Sequence, residues 1–138
     1  LVAIARAART VRPGPFEMLD IGANLGATAL ALSRGLPGHR LVAVEAGPDI
    51  VALLRRNLAA NGAREVEVIH AAIGREARLA AFHQSAFMAG SHLLLGEGPS
   101  PATHQVPVRT LDDLCEGRGL QHLGFVKLDI EGAERDAL

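Results

Sequence analysis

The chain is 138 residues long and 49% hydrophobic, with a mean hydropathy of +0.20 and a net charge of −1. Such a length gives one domain with a real core, and such a composition excludes a disordered segment. Charges of both signs are interspersed and the aromatics are Phe16, Phe82, Phe87 and Phe125, so neither a basic face nor a base-stacking platform is visible and no nucleic-acid partner is expected.

Residues 1–12 are predicted as an N-terminal helix. Its apolar part, Leu1–Ala8, is short and interrupted by Arg6. No run approaches the roughly 18 residues of a membrane span, so no membrane partner is expected. The chain opens on Leu1 and stops at Leu138 in what reads as a young helix, so 1–138 is expected to be a single, partial domain.

Phe16–Ile21 is predicted as the first strand and Gly26–Leu36 as a helix stopped by Pro37-Gly38. Between them runs Asp20-Ile-Gly-Ala-Asn-Leu-Gly26. A glycine loop of this kind lets the backbone approach a ligand, and the following helix offers free N–H groups. It departs from the G-x-G-x-x-G loop that holds a pyrophosphate, because Asn24 replaces the middle glycine, Gly26 comes early and Asp20 precedes the loop. A carboxylate there repels a diphosphate and suits a cationic ligand with an amino group. The loop therefore favours an aminoacyl-nucleoside such as S-adenosyl-L-methionine over NAD.

Arg40–Glu45 is predicted as the second strand, ending in another carboxylate. Pro48 and Asp49 suit the first turn of a helix over Asp49–Ala60, with Ile50, Leu53, Leu54 and Leu58 on one face and Asn61-Gly62 as its stop. Glu65–His70 alternates as an edge strand does. From Ala71 to Leu123 the pattern is irregular: Ser91–Ser100 reads as a loop, Gln105–Arg109 as an extra strand and Thr110–Leu114 as a capped helical turn. This excursion is either a surface insertion or the wall of a substrate pocket. The lone Cys115 allows no intrachain disulfide and fits a reducing, cytoplasmic location. Gly124–Asp129 is the fourth strand of the series, and Gly132–Leu138 begins another helix.

Strands alternating with helices imply an α/β fold with a parallel sheet and right-handed crossovers. Asp20, Glu45 and Asp129 then meet on one rim, where open α/β sheets bind ligands.

With these pieces in order, the chain resembles the FkbM-type family of S-adenosyl-L-methionine-dependent methyltransferases. The resemblance is carried by Asp20 to Gly26, by Val42-Ala-Val-Glu45, by Leu53 to Asn57 with Asn61, and by Lys127-Leu-Asp-Ile-Glu-Gly-Ala-Glu134. The stretch Val106 to Leu114 also looks like the family's approach to strand four. The family usually has Glu-Pro after strand two, whereas this chain has Glu45-Ala46-Gly47-Pro48, which alters the shape of that loop. The resemblance implies a Rossmann-like class I methyltransferase fold, a parallel three-layer sandwich truncated after strand four. It further implies S-adenosyl-L-methionine as cofactor and O-methylation of a hydroxyl on a sugar or secondary metabolite, with a small molecule or glycan as acceptor.

Asp20 is expected to bind the methionyl end, directly or through water, with Gly22, Ala23 and Gly26 lining the loop. Asn24 either takes a left-handed backbone or hydrogen-bonds the cofactor. Glu45 is expected to accept the ribose hydroxyls, and adenine to lie near Ala46 and the turn Ala71-Ala72-Ile73-Gly74. Asp129 is expected where methyl and acceptor meet, as cofactor contact and as acceptor-positioning group or general base. Glu131 is the second catalytic candidate, and Glu134 favours a helix N-terminus. Lys127, the sole lysine, is expected to pair with a neighbouring acid. The histidines, His39, His70, His83, His92, His104 and His122, show no metal-ligand spacing, so no metal is expected. A non-catalytic cofactor-binding or assembly module, or an NAD-dependent oxidoreductase, are the rival readings.

Overall fold

The computed structural model describes residues 2–11, 14–83, 92–93, 103–130 and 134–137. Helix α1 (Val2–Val11) leads into strand β1 (Glu17–Ile21), helix α2 (Ala27–Gly35), strand β2 (Arg40–Glu45), helix α3 (Pro48–Ala60) and strand β3 (Glu67–His70). Four strands follow: β4 (Ala72–Ile73), β5 (Arg78–His83), β6 (His92–Leu93) and β7 (Thr103–Arg109). Helix α4 (Leu111–Arg118), strand β8 (Leu123–Leu128) and helix α5 (Glu134–Ala137) complete the described elements.

The first sheet has the order β3-β2-β1-β8 and is parallel throughout. Its strands are those read from the apolar runs, with ends shifted by one or two residues. Side chains alternate across it as the pleat requires. Met18, Leu41 and Ala43 face one side, packing with Ala5 of α1, Leu32 of α2, and Leu54 and Leu58 of α3. Leu19, Ile21, Val42, Val44 and Ile69 face the other, with Leu114 of α4 and Ala137 of α5. This is the three-layer α/β arrangement, Rossmann-like in its parallel order.

Helix α3 buries Val51, Leu54 and Leu58. Ile50 and Leu53, expected on that face, are only half-buried at its flank. Both sets fit the helical period, and it is Val51, with Leu54 and Leu58, that turns toward the core. Helix α4 extends the expected turn. The Thr110 hydroxyl caps it by accepting from the Asp113 N–H at 3.0 Å, and Gly119 ends it in a left-handed conformation.

The excursion after β3 is more ordered than its sequence suggests. Its described residues form a second sheet, β4-β7-β5-β6, with β5 antiparallel to β7 and β4 parallel to it. Ala72, Ala80, Phe82, Val106 and Val108 bury one face of it, while Leu79 points outward, 72% exposed. The small Ala80 at an inward position of β5 and Leu79 at an outward one mute the alternation that would have revealed it. Within the expected loop Ser91–Ser100, His92 and Leu93 form β6; its other positions lie outside the described residues. No helix among the described residues is long and apolar enough to cross a membrane.

Candidate functional site

The turn from β1 into α2 is held by backbone bonds. The N–H groups of Gly22 and Ala23 both donate to the Val44 carbonyl at 3.0 Å, and that of Gly26 to the Ala23 carbonyl at 2.9 Å. Gly22 takes φ 74°, and a Cβ there would stand 1.9 Å from the Asp129 carbonyl oxygen, so glycine is required by space as well as by conformation. Gly26, at φ 91°, would place a Cβ 2.7 Å from the Leu54 side chain. It serves the close packing of α2 on α3, and Ala23 is buried in the same cluster. Both were expected to line the ligand loop; what they can offer a ligand is backbone. Asn24 is exposed and left-handed at φ 50°, the first of its two expected roles. From α3, Asn57 Nδ2 donates to the Leu25 carbonyl at 3.0 Å and fixes the far side of the loop.

Asp20 is fully buried. Neither carboxylate oxygen has a well-aligned hydrogen bond, and the groups that bear on it are the Lys127 ammonium and the Ala29 N–H. Burial pushes its carboxyl above the ordinary carboxylate range; Lys127 and the Ala29 N–H in the first turn of α2 pull the other way. Lys127 is its register partner on β8, with Nζ 3.2 Å from Asp20 Oδ1 and 3.5 Å from Asp129 Oδ2. The ammonium also donates to the Gly22 carbonyl at 2.7 Å. Asp129 lies just past β8 with its side chain 70% exposed, so it is the acid of this trio that solvent reaches.

Glu45 ends β2 half-buried. Its Oε2 accepts from the Asn24 N–H at 2.9 Å, and its Oε1 accepts from the N–H groups of Ala46 and Gly47, each at 2.9 Å. The carboxylate thereby ties the glycine loop to the loop after β2. A carboxylate has about four acceptor directions, so one remains, on Oε2. His70, beside Glu45 in the β2–β3 register, bonds through Nε2 to the Ala46 carbonyl at 2.9 Å. Ala72 was expected on a turn. It belongs instead to β4, its side chain buried in the apolar cluster of the second sheet, against which Ala46 packs.

Asp20, Gly22, Glu45, Ala46 and Asp129 thus gather around the ends of β1, β2 and β8. Glu131 lies outside the described residues, and Glu134 Oε1 accepts from the Ile130 N–H at 3.0 Å. Sequence reasoning gave Asn57 and His70 no role. The signal for Asn57 was an amide on the inner half of a helix that packs against a glycine loop. That for His70 was a polar residue ending the strand beside Glu45. No group of acids, histidines and cysteine among the described residues could hold a metal. A shallow groove lined by Arg55, Ala59, Arg64 and Val68 contains none of the residues at the strand ends.

A parallel sheet with a glycine loop after its first strand and an acid closing its second defines a Rossmann-like nucleoside-binding domain. The methyltransferase FkbM domain matches residues 20–138, and the chain belongs to that family of S-adenosyl-L-methionine-dependent methyltransferases. Methyltransferase 1 of Beauveria bassiana is 28% identical over 149 residues, which covers 93% of this chain and 60% of the fungal protein. A release factor glutamine methyltransferase of Geobacter sulfurreducens is 42% identical over 52 residues, 38% of this chain and 18% of that protein. Among solved structures, an O-methyltransferase from Bacillus cereus in complex with SAH overlaps 50% of this chain and 31% of its own, with a TM-score of 0.42 and 27% identity. The precorrin-6y C5,15-methyltransferase of Geobacter metallireducens overlaps 51% of this chain and 36% of its own, also with a TM-score of 0.42 and 27% identity.

Proposed function

We propose that this chain binds S-adenosyl-L-methionine at the ends of β1, β2 and β8 and supports methyl transfer to a hydroxyl oxygen of a sugar or secondary metabolite. The reading rests above all on one observation: three acids stand at the ends of neighbouring parallel strands, one buried and paired, one half-buried, one open to solvent. When bound, the cofactor supplies an activated methyl group on a positively charged sulfur.

The residues present suit that ligand. Glu45 keeps one acceptor direction for a ribose hydroxyl while its other oxygen holds the loop. Asp20 is too deeply buried to meet a ligand face on, so its part is to shape the loop above it and to set the local charge. Ala46, with the apolar cluster of the second sheet behind it, offers a flat surface for a base.

Asp129, exposed beside the loop, is the group for the acceptor. A hydroxyl gains the methyl as it gives up its proton, and a carboxylate there both orients the oxygen and takes the proton. Alignment supplies on the order of 7–11 kcal/mol, whereas a general base adds about 10²–10⁴-fold. Positioning therefore dominates.

Transfer of labelled methyl from the cofactor into pools of sugars and hydroxylated metabolites tests the reading. Asp20→Ala is expected to abolish cofactor binding. Asp129→Ala is expected to keep it and to lower turnover by about 10²-fold or more. Label appearing only on nitrogen contradicts the choice of oxygen, and wild-type rate and affinity in both variants contradict the site.

A further inference from the structure

We propose that Lys127 is the positioning residue of this rim, pairing with the buried Asp20 and tying the Gly22 carbonyl to the end of β8, so that cofactor affinity depends on a side chain that does not touch the cofactor. The inference rests on the cofactor reading above and adds to it.

Asp20 and Lys127 face each other across adjacent parallel strands, so their side chains leave the sheet on the same face. An ammonium has three donors. Here Nζ lies 2.7 Å from the Gly22 carbonyl oxygen, 3.2 Å from Asp20 Oδ1 and 3.5 Å from Asp129 Oδ2. These oxygens belong to the buried floor, the glycine loop and the exposed rim. The same strand end also holds the loop through its backbone. The Asp129 N–H donates to the Ile21 carbonyl at 3.1 Å, and the Asp129 carbonyl lies against the bare Cα of Gly22. Lys127 therefore completes a clamp whose second jaw is backbone.

The surroundings of Asp20 leave the pairing to this side chain. On β2 its register partner is the apolar Ala43. From α2 it is influenced by the Ala29 N–H, and past β8 by the like charge of Asp129, which works against it. Without Lys127 the buried carboxylate would have no cation beside it and only the Ala29 N–H to favour its charge, a costly state that is relieved by taking up a proton. The Gly22 carbonyl would lose its tether at the same time.

The test titrates S-adenosylhomocysteine calorimetrically into the wild type, Lys127→Met and the pair-neutral Asp20→Asn/Lys127→Met, and records thermal melting of each without ligand. Lys127→Met is expected to bind about tenfold more weakly, the effect of losing a hydrogen bond to a charged group. Its affinity and melting temperature are expected to fall more steeply than the wild type's as pH rises, because the orphaned carboxyl is forced to ionise. The double variant is expected to melt within a few degrees of the wild type, with no such slope, and still to bind weakly, having lost both the tether and the Asp20 charge. Wild-type affinity in either variant overturns the proposal. So does a double variant that fails to fold, which would make Lys127 a requirement of folding. Failure of the wild type to bind is a different result, and it sinks the cofactor reading itself.

Discussion

At the scale of single residues, Asp20 carries the tension in the site. It is the buried charged side chain among the described residues, and burial holds its carboxyl above the ordinary value of about 3.9. Between that value and the raised one, the folded chain keeps a proton that the unfolded chain has released. Folding stability therefore declines as pH rises across this window, and is fullest below it. Asp20→Asn cannot ionise and lacks the decline. Melting temperatures from about pH 4 to about pH 7 are expected to converge or cross for the two proteins, with the wild type losing ground as pH rises; parallel curves contradict the assignment. An acid before a glycine loop is plain in the sequence, but its complete burial is not. Burial follows from Lys127 lying opposite it, a pairing between residues 107 positions apart in the chain's numbering that only the strand register reveals. Asn24 is a simpler case. Asparagine tolerates a left-handed backbone, and that is the conformation it takes.

At the scale of elements, what is legible depends on how strongly each segment's pattern is enforced. β1 and β2 are buried on both faces, so they read as continuous apolar runs, and β2 was placed to the residue. β5 is covered on one face by Ala80 and Phe82, and with Leu79 pointing outward its pattern does not alternate cleanly. Helix α3 was legible as a helix, yet its buried stripe starts at Val51 because α3 must lay Leu54 against Gly26. That contact brings Asn57 to the loop. Asn57→Ala removes the donor to the Leu25 carbonyl and is expected to cost about 1–2 kcal/mol of stability by chemical denaturation. Cofactor affinity is expected to weaken several-fold alongside it, since the loop loses its anchor on α3. Unchanged stability together with unchanged affinity contradicts a role for α3 in setting the loop.

At the scale of the molecule, the first sheet brings the site together and the second supplies a wall beside Ala46. The parallel order was legible from alternating strands and helices; of the second sheet only the strand at Gln105–Arg109, now part of β7, was legible, because its strands pair across gaps whose lengths the sequence does not constrain. β8 pairs with β1 alone among the described residues, and Val126 on it is 41% exposed. The chain spans 60% of the fungal relative's length. The proposed cofactor seat lies where β1, β2 and β8 end. Hydrogen exchange read by mass spectrometry, with and without saturating S-adenosylhomocysteine, tests it most directly. Slower exchange is predicted in the backbone of residues 20–26, 45–47 and 127–130, with no change along the groove lined by Arg55 and Val68. Protection confined to that groove, or none anywhere on the chain, would contradict the account.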